Sequence, residues 1–423
     1  MSGRIESAIC SGCSCLCDDL DLVVAGGRIE EVANACRWGV SRLLAAPKFQ
    51  TRKERHRVAA PQVRRGGRWQ AVSYEAALGE AAGVLARARR PVIYGLTSLG
   101  SRAQEAALAL ARRARARLEP ADLAFQAAYY RSLQQQDLHF APLEVIRDEA
   151  DTVLFWGANP VHSCPRQVVR HAVFARGRFT ERGVEDRRVA AVDLYSTESA
   201  KFCHLFIPVK PEEEVGLVEG VAGALTGAPR PGPQVRGTRR MADFLSRAGY
   251  GVIFCGRGVA YNAGGEIISR LASLAALLNR RVPFTLFPLS GDFNARGLYH
   301  LLLRELGGAG AADFRADEAT ISGTPVDWRE VDAVLVAGAD LLWGLGEEEA
   351  QDLKERQVPL VVVSPFANRT TGQAQVLVPV ALAGVEAEEV AYRMDGLPVV
   401  LRKLVESSLP SDHQVLTDLA RIL

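Results

Sequence analysis

Four of the chain's eight cysteines fall between residues 10 and 17, in the run Cys-Ser-Gly-Cys-Ser-Cys-Leu-Cys. Cys10, Cys13, Cys17 and Cys36 give the spacing C-x2-C-x3-C-x18-C. Four thiolates that converge can hold a cubane iron–sulfur cluster or a zinc ion. Zinc sites favour paired C-x2-C units, and this spacing contains only one, which favours the iron–sulfur cluster. Zinc and metal-free thiols remain the other readings. In a reducing compartment such crowding reads as ligation rather than as disulfides. Gly12 permits the tight loop that a compact site needs. Cys15 is surplus and is expected to point away. Cys164, Cys203 and Cys255 stand singly in or beside strands, where cysteine serves as a small apolar residue.

For the four ligands to meet, Cys36 must return to the loop, and the intervening residues supply the means. Residues 21–25, a Gly26-Gly27 turn and residues 28–32 read as a β-hairpin. A basic segment, 48–68, separates this module from the rest of the chain. Beyond it, short β-branched runs alternate with stretches rich in Ala, Leu and Arg. Ser73 caps a helix expected over 74–89, and 91–95 reads as a buried strand ending at Gly95. Ser101-x-x-Gln104 is a capping-box pattern for a helix running to about 118. Strand, glycine turn and capped helix make the βα unit of an open parallel sheet.

The chain then repeats itself. Residues 151–159 (Asp-Thr-Val-Leu-Phe-Trp-Gly-Ala-Asn) align without gaps on 332–340 (Asp-Ala-Val-Leu-Val-Ala-Gly-Ala-Asp). Residues 192–209 resemble 363–380, and 92–95 echo 252–256, in the same order in both halves. A Pro/Gly-rich stretch, 226–237, lies between them. The expected class is α/β, with a cysteine-rich β-hairpin module followed by two related Rossmann-like lobes at about 90–225 and 245–385. In domain terms this is a module at 1–65, a first lobe at 66–225, a linker at 226–245, and a second lobe with a C-terminal helix at 246–423.

Composition removes several functions. A formal net charge of +2 with 24% charged residues argues against nucleic acid or a membrane surface as partner. No apolar run approaches the roughly 20 residues of a membrane span. The N-terminus lacks the basic and apolar regions of a signal peptide, so a cytoplasmic location is expected. The low net charge suits a broad subunit interface. The seven histidines are scattered, with no pair at metal spacing on one helix. No phosphate-binding P-loop or nucleophile elbow is present.

The motifs resemble those of the B subunit of formylmethanofuran dehydrogenase, within the molybdenum/tungsten bis-pterin oxidoreductases related to formate dehydrogenase. Residues 10–19 resemble that family's cluster loop, and Asn34-Ala-Cys36-Arg-Trp-Gly its fourth ligand. Trp156-Gly-Ala-Asn-Pro160 with Pro165-Arg166 resembles a pterin-side strand end. Asp193-x-x-x-Thr197-x-x-Ala200 resembles the dinucleotide-binding segment. Gly384-Val-Glu-Ala-Glu-Glu-Val-Ala-Tyr-Arg-Met-Asp-Gly396 is close to a signature of that family. The resemblance also leads one to expect no C-terminal β-barrel domain of the formate dehydrogenase kind.

The resemblance implies a 4Fe-4S cluster on Cys10, Cys13, Cys17 and Cys36, and a molybdopterin or tungstopterin dinucleotide. A pyrophosphate is well held by backbone N–H groups at strand-to-helix turns. Candidate turns are 95–100, 157–160, 256–258 and 338–340, with Gly157, Asn159, Asp193, Thr197, Gly256, Gly338 and Asp340 as the cofactor-binding residues. The resemblance also implies partner subunits of the A, C and D types. One departure stands out. The family's metal ligand is a cysteine followed by histidine and glycine, but Tyr129 and Tyr130 stand in that place here. No cysteine occurs between Cys36 and Cys164, and a phenol is a poor, bulky substitute for a soft thiolate. Ser132 is the only small nucleophile nearby, and no catalytic residue is assigned. The pattern resembles bacterial formyltransferase/hydrolase assemblies, which pass formyl groups from a tetrahydromethanopterin carrier to a methanofuran analogue and then to formate. It implies a scaffold with a degenerate molybdenum/tungsten site. An active subunit interconverting carbon dioxide and formate, and a metal-free or zinc-bound assembly module, are the alternatives. Tyr392, Arg393 and Met394 are expected to loop over the cofactor cleft or to touch a partner.

Overall fold

The computed structural model describes residues 2–44, 57–228, 235–260 and 265–423. Most of the expected basic segment, and the middle of the expected linker, lie outside the described residues. The chain opens with β1 (Ser2–Ala8), β2 (Leu20–Ala25) and β3 (Arg28–Ala33), paired antiparallel in that order. Gly26 and Gly27 have φ of 57° and 75°. Two left-handed residues are what a two-residue hairpin turn needs to match the strand twist, so the Gly-Gly pair sets the register.

Sixteen further strands are described. The first are β4 (Gln62–Arg65), β5 (Arg68–Ala71), β6 (Pro91–Gly95), β7 (Arg117–Pro120) and β8 (Thr152–Trp156). Next come β9 (Arg188–Asp193), β10 (Leu205–Pro208), β11 (Gly251–Cys255), β12 (Phe284–Pro288), β13 (Ala311–Asp313) and β14 (Thr320–Ser322). The last are β15 (Ala333–Ala337), β16 (Leu360–Val363), β17 (Val376–Val378), β18 (Glu389–Tyr392) and β19 (Pro398–Leu401). Every residue of β6, β8, β11, β12 and β15 is buried, as in parallel strands covered on both faces.

Two compact units result. The first comprises Met1–Leu123, Asp292–Arg393 and Pro398–Leu423. Its sheet runs β14-β13-β7-β6-β15-β16-β17-β4-β5, parallel from β7 to β17 and antiparallel at both margins. The second unit comprises Ala124–Gly291 and Met394–Leu397. Its sheet, β10-β9-β8-β11-β12, is parallel throughout. Phe155, Phe254 and Phe287 stack across β8, β11 and β12, with ring centroids 5.7 and 5.8 Å apart.

The expected lobes are therefore corrected, although the repeat behind them is real. β6 and β11 echo each other and occupy equivalent places, as do β15 and β8, β16 and β9, and β17 and β10. Each sheet takes its two central strands from opposite halves of the chain, pairing β6 with β15 and β8 with β11. The physical reason is that similarity records which elements are alike, whereas the crossover after each element decides which sheet it joins. The cysteine module belongs to the first unit rather than standing alone. The described residues at both ends of the expected linker lie inside the second unit, where helices Glu214–Thr226 and Thr238–Ser246 pack together. The C-terminal helix Asp412–Ile422 belongs to the first unit and packs on helices Tyr74–Arg87 and Ser101–Arg113. Among the described residues, no helix is long and apolar enough to cross a membrane.

Candidate functional site

The cysteine loop bridges β1 and β2. The Cys10 amide donates to the Cys17 carbonyl at 2.8 Å and the Leu16 amide to that of Cys13 at 3.2 Å, closing the loop on itself. Asn34, at φ 59°, donates its side-chain amide to the Asp19 carbonyl and turns the hairpin end back. Cys36 then precedes helix Arg37–Leu44, its carbonyl accepting from Val40 at 2.8 Å. Glycine faces let loop and helix touch. A Cβ on Gly12 would lie 3.2 Å from the Gly39 nitrogen, and one on Gly39 would lie 3.0 Å from Cys10 Sγ.

Cys13, Cys17 and Cys36 lie near enough to Cys10 for their charges to act on its thiol, but among the described residues the loop thiol found within 4.8 Å of Cys13 is that of Cys15 rather than of the other expected ligands. Burial first, and then the charges of Cys13, Cys17 and Cys36, push the Cys10 thiol up to about 12, against a lowering hydrogen bond from the Gly12 amide. Cys10, Cys13 and Cys17 are buried and Cys36 is half-buried. Enclosed thiols whose charges oppose one another are a donor set that a cationic centre stabilises, so the residues fit a metal or cluster. Cys15 is a correction. It is fully buried, with Sγ within 4.8 Å of that of Cys13, because the turn at 13–16 tucks Leu16 into a core with Phe293, Ala383 and Leu401. Beside the loop lies the half-buried Arg42, whose Nε donates to Ser11 Oγ at 3.4 Å and whose guanidinium covers the Phe293 ring. Burial lowers its pKa to about 10, against the opposing pull of Asp412 and Cys10.

Each parallel sheet has a switch point, where the chain leaves adjacent central strands toward opposite sides. That is where open α/β sheets bind ligands. In the first unit it lies between β6 and β15, and in the second between β11 and β8. Glycines make both crossings possible. A Cβ on Gly95 (φ 108°) would fall 2.3 Å from the Ala337 carbonyl oxygen, and one on Gly256 would fall 2.2 Å from that of Gly157. Gly338 (φ 67°) and Gly157 (φ 54°) form the facing walls.

The same bonds recur around both points. Asp340 accepts from the amides of Arg369 and Thr370, both at 3.1 Å, and from Thr370 Oγ1 at 2.5 Å. Thr370 Oγ1 in turn accepts from the Leu342 amide. In the second unit, Asn159 Oδ1 accepts from Ser199 Oγ at 2.7 Å, and Ser199 Oγ accepts from the Val161 amide. Asn159 also donates to Glu198 at 3.0 Å. Asn159 and Asp340 thus latch one loop to the next rather than reaching outward. Gly157, Asn159, Asp193, Thr197 and Gly256 gather at the strand ends of the second unit, while Gly338 and Asp340 belong to the first. Asp193 accepts from the Leu194 amide at 2.8 Å and its pKa is raised by burial. Leu194 and Tyr195 beside it are exposed.

The turn at 95–100 differs from its sequence reading. Helix Ser101–Arg113 is capped by Gly100, and Gln104 does not close a capping box. Its side chain instead donates to the carbonyls of Leu96 and Asn294, at 3.0 and 2.9 Å. Asn294 donates to the Leu99 carbonyl and accepts from the Tyr392 amide at 2.7 Å. Asp292 accepts from Thr97 Oγ1 and Ser98 Oγ at 3.1 and 2.9 Å, and Glu389 accepts from the Arg102 amide at 3.3 Å. Burial raises the Glu389 pKa, opposed by Arg102 and backbone hydrogen bonds. Sequence reasoning missed Asp292, Asn294 and Glu389 as parts of this turn. The polar run Gly-Asp-Phe-Asn after buried β12 is the one signal that pointed to the first two.

No family model matches the chain. Two curated relatives do, each named as the B subunit of a tungsten-containing formylmethanofuran dehydrogenase 2. The one from Methanocaldococcus jannaschii is 29% identical, with 97% of each chain covered. The one from Methanococcus maripaludis is 27% identical, covering 97% of this chain and 96% of the relative. The chain is a relative of the formylmethanofuran dehydrogenase B subunit.

Two solved structures share the fold. A chain of the formyltransferase/hydrolase complex (FhcABCD) from Methylorubrum extorquens, solved with methylofuran, superposes with a TM-score of 0.65 at 21% identity, covering 86% of this chain and 98% of that one. Acetylene hydratase from Pelobacter acetylenicus gives 0.63 at 13% identity, over 99% of this chain and 70% of that one.

Set beside the formylmethanofuran dehydrogenase pattern, the helix Leu123–Gln135 carries the main departure. Tyr129 and Tyr130 sit in its middle, both buried, with rings edge to face at 5.1 Å. The Tyr129 hydroxyl donates to the Leu286 carbonyl at 3.0 Å, so the phenol is committed to the core of the second unit. Ser132 is buried, donates to the Ala128 carbonyl at 2.8 Å and lies 3.2 Å from Ser269 Oγ, the bonding of a core hydroxyl. Arg393 and Met394 are buried and Tyr392 is half-buried. The signature segment acts as a strap. Ser11 Oγ donates to the Ala383 carbonyl at 2.9 Å at one end, and Glu389 meets the 95–100 turn further along.

Proposed function

We propose that this chain is the B-type subunit of a cytoplasmic one-carbon complex that transfers and hydrolyses formyl groups. In this reading it works with A-, C- and D-type subunits, between a tetrahydromethanopterin carrier and a methanofuran analogue. Its own role is a scaffold, with a 4Fe-4S cluster on Cys10, Cys13, Cys17 and Cys36 and a molybdenum/tungsten site that has been given up. The observation that carries this is Tyr129, a fully buried phenol already bonded to Leu286 where the resemblance asks for a thiolate ligand. A cluster there would supply a compact cross-link, and this chain's contribution is to enclose it. The loop hydrogen bonds hold Cys10 against Cys17, and Arg42 places a positive charge beside the thiolates.

Metal analysis of the purified complex tests the reading. About four irons per chain, as one cubane cluster requires, with neither tungsten nor molybdenum, is the expected result. Stoichiometric tungsten or molybdenum with extractable pterin would overturn the loss of the redox site. Zinc in place of iron would overturn the cluster.

A further inference from the structure

The first unit's switch point has the outward marks of a phosphate cradle: a strand ending in glycine, two hydroxyl residues, a second glycine and a helix N-terminus. We propose that this cradle is closed by the protein's own carboxylates, Glu389 at the N-terminus of helix Ser101–Arg113 and Asp292 on the hydroxyls of Thr97 and Ser98. The phosphates of a dinucleotide therefore do not fit there.

Gly100 carries the argument. Its φ of −67° and ψ of 161° are extended backbone that any residue adopts, so its own conformation does not call for glycine. What calls for it is Glu389. A Cβ at position 100 would lie 2.3 Å from the Glu389 carboxylate carbon and from its Oε2. The glycine that suggested room for phosphate makes room for a carboxylate of the same chain. That carboxylate accepts from the Arg102 amide at 3.3 Å, an N–H at the helix start that would otherwise face an anion. It also lies 3.5 Å from Arg102 Nε, and its side chain is 3% exposed. The second donor pair of the turn is equally committed, since Thr97 and Ser98 each bond one oxygen of Asp292. Two backbone amides of the turn are taken too, that of Leu96 bonding the Ala337 carbonyl at 2.8 Å and that of Leu99 the Leu96 carbonyl at 3.1 Å. A phosphate entering here would meet two carboxylates and find both hydroxyls and the amides of Leu96, Leu99 and Arg102 already bonded. The signature segment 384–396 thus brings in the group that replaces the ligand.

This inference deepens the reading of a cofactor cleft whose chemistry has been given up. Its failure is separable, because metal content tests that reading and amide exchange tests this one. The measurement is hydrogen exchange over residues 96–104 of the full chain in its complex, with and without 10 mM inorganic pyrophosphate as probe. In the wild type, pyrophosphate should change exchange by less than twofold. In Glu389→Ala, the Arg102 amide should exchange at least tenfold faster, and pyrophosphate or phosphate, but not chloride, should slow it again. Glu389→Gln keeps an acceptor oxygen in place and should stay near the wild-type rate. Slowing of exchange by pyrophosphate in the wild type would overturn the proposal. So would an unchanged Arg102 amide in Glu389→Ala. If that variant does not fold, the wild-type measurement alone still decides.

Discussion

The two switch points share a scaffold and differ in what fills it. In both, paired glycines let the loops after two central strands cross within touching distance, and a side chain after the second glycine latches onto the next loop. In the first unit, two carboxylates occupy the turn. In the second, the corresponding stretch begins Gly256-Arg257-Gly258, with Arg257 and Gly258 exposed, and Asp193 is followed by the exposed Tyr195. The two units share the parts that hold strands in place, each of which protects buried backbone. They differ in the groups that stand where a ligand would enter.

The largest expected effects come from the shared scaffold. Gly95→Ala and Gly256→Ala should each cost ~4 kcal/mol or more, because Cβ would overlap a carbonyl oxygen of the facing loop. Gly26→Ala, with φ 57° and nothing within 4 Å, should cost only ~1 kcal/mol. Urea unfolding of the three variants checks this. Equal losses in all three would mean that close approach is not what the crossing glycines serve. Cys13→Ala belongs at the same end of the scale and has a spectroscopic readout. It should abolish absorbance near ~400 nm, where thiolate-bound iron–sulfur centres absorb, and unchanged absorbance would remove Cys13 from the ligand set.

The latches are the next finer test. Asp340 accepts three hydrogen bonds as a carboxylate, whereas Asn159 accepts one and donates one as a neutral amide. Asp340→Ala should therefore cost ~2–3 kcal/mol and Asn159→Ala ~1–2 kcal/mol, since bonds to a charged group are the stronger. A reversed order would show that the latches are not equivalent devices.

Much of this was legible in the sequence, for stateable reasons. Buried parallel strands such as 91–95 and 333–337 are β-branched runs ended by glycine, and the hairpin was marked by Gly26-Gly27. The cysteine spacing pointed to thiols close enough for the charges of Cys13, Cys17 and Cys36 to bear on Cys10, and it passed over Cys15, whose sulfur lies within 4.8 Å of that of Cys13. The strand Ser2–Ala8 was missed because its Arg and Glu residues mask it, and it is recognised only by pairing with β2. Sheet membership was misread because the halves exchange strands, a fact about crossovers that similarity does not carry. Gln104 followed the capping-box pattern and failed it because two buried carbonyls compete for its amide. Gly100 was read for the wrong reason, since the group it accommodates is 289 residues further along.

The smallest expected effect concerns charge at the closed turn. Asp412 is buried in the first unit, and its carboxyl is raised from 3.8 to about 7, first by burial and then by the charge of Glu389, while Arg42 and Arg57 pull it down. The neighbouring His413 bonds the Arg102 carbonyl through Nδ1, so it faces the same helix start. Between pH ~4 and ~7 the folded chain holds a proton at Asp412 that the unfolded chain has released, so stability falls as pH rises through that window and levels off above it. Asp412→Asn removes the titration and should flatten this slope by ~1–2 kcal/mol between pH 5 and pH 8, a discounted figure because Arg42 loses a partner in the exchange. Urea midpoints at the two pH values measure it. In the second unit, Asp193 is raised by burial alone, with no second acid pressing on it, so Asp193→Asn should flatten the slope less. An equal change in both would mean that the crowding of Glu389 and Asp412 at the closed turn does not set the pH response.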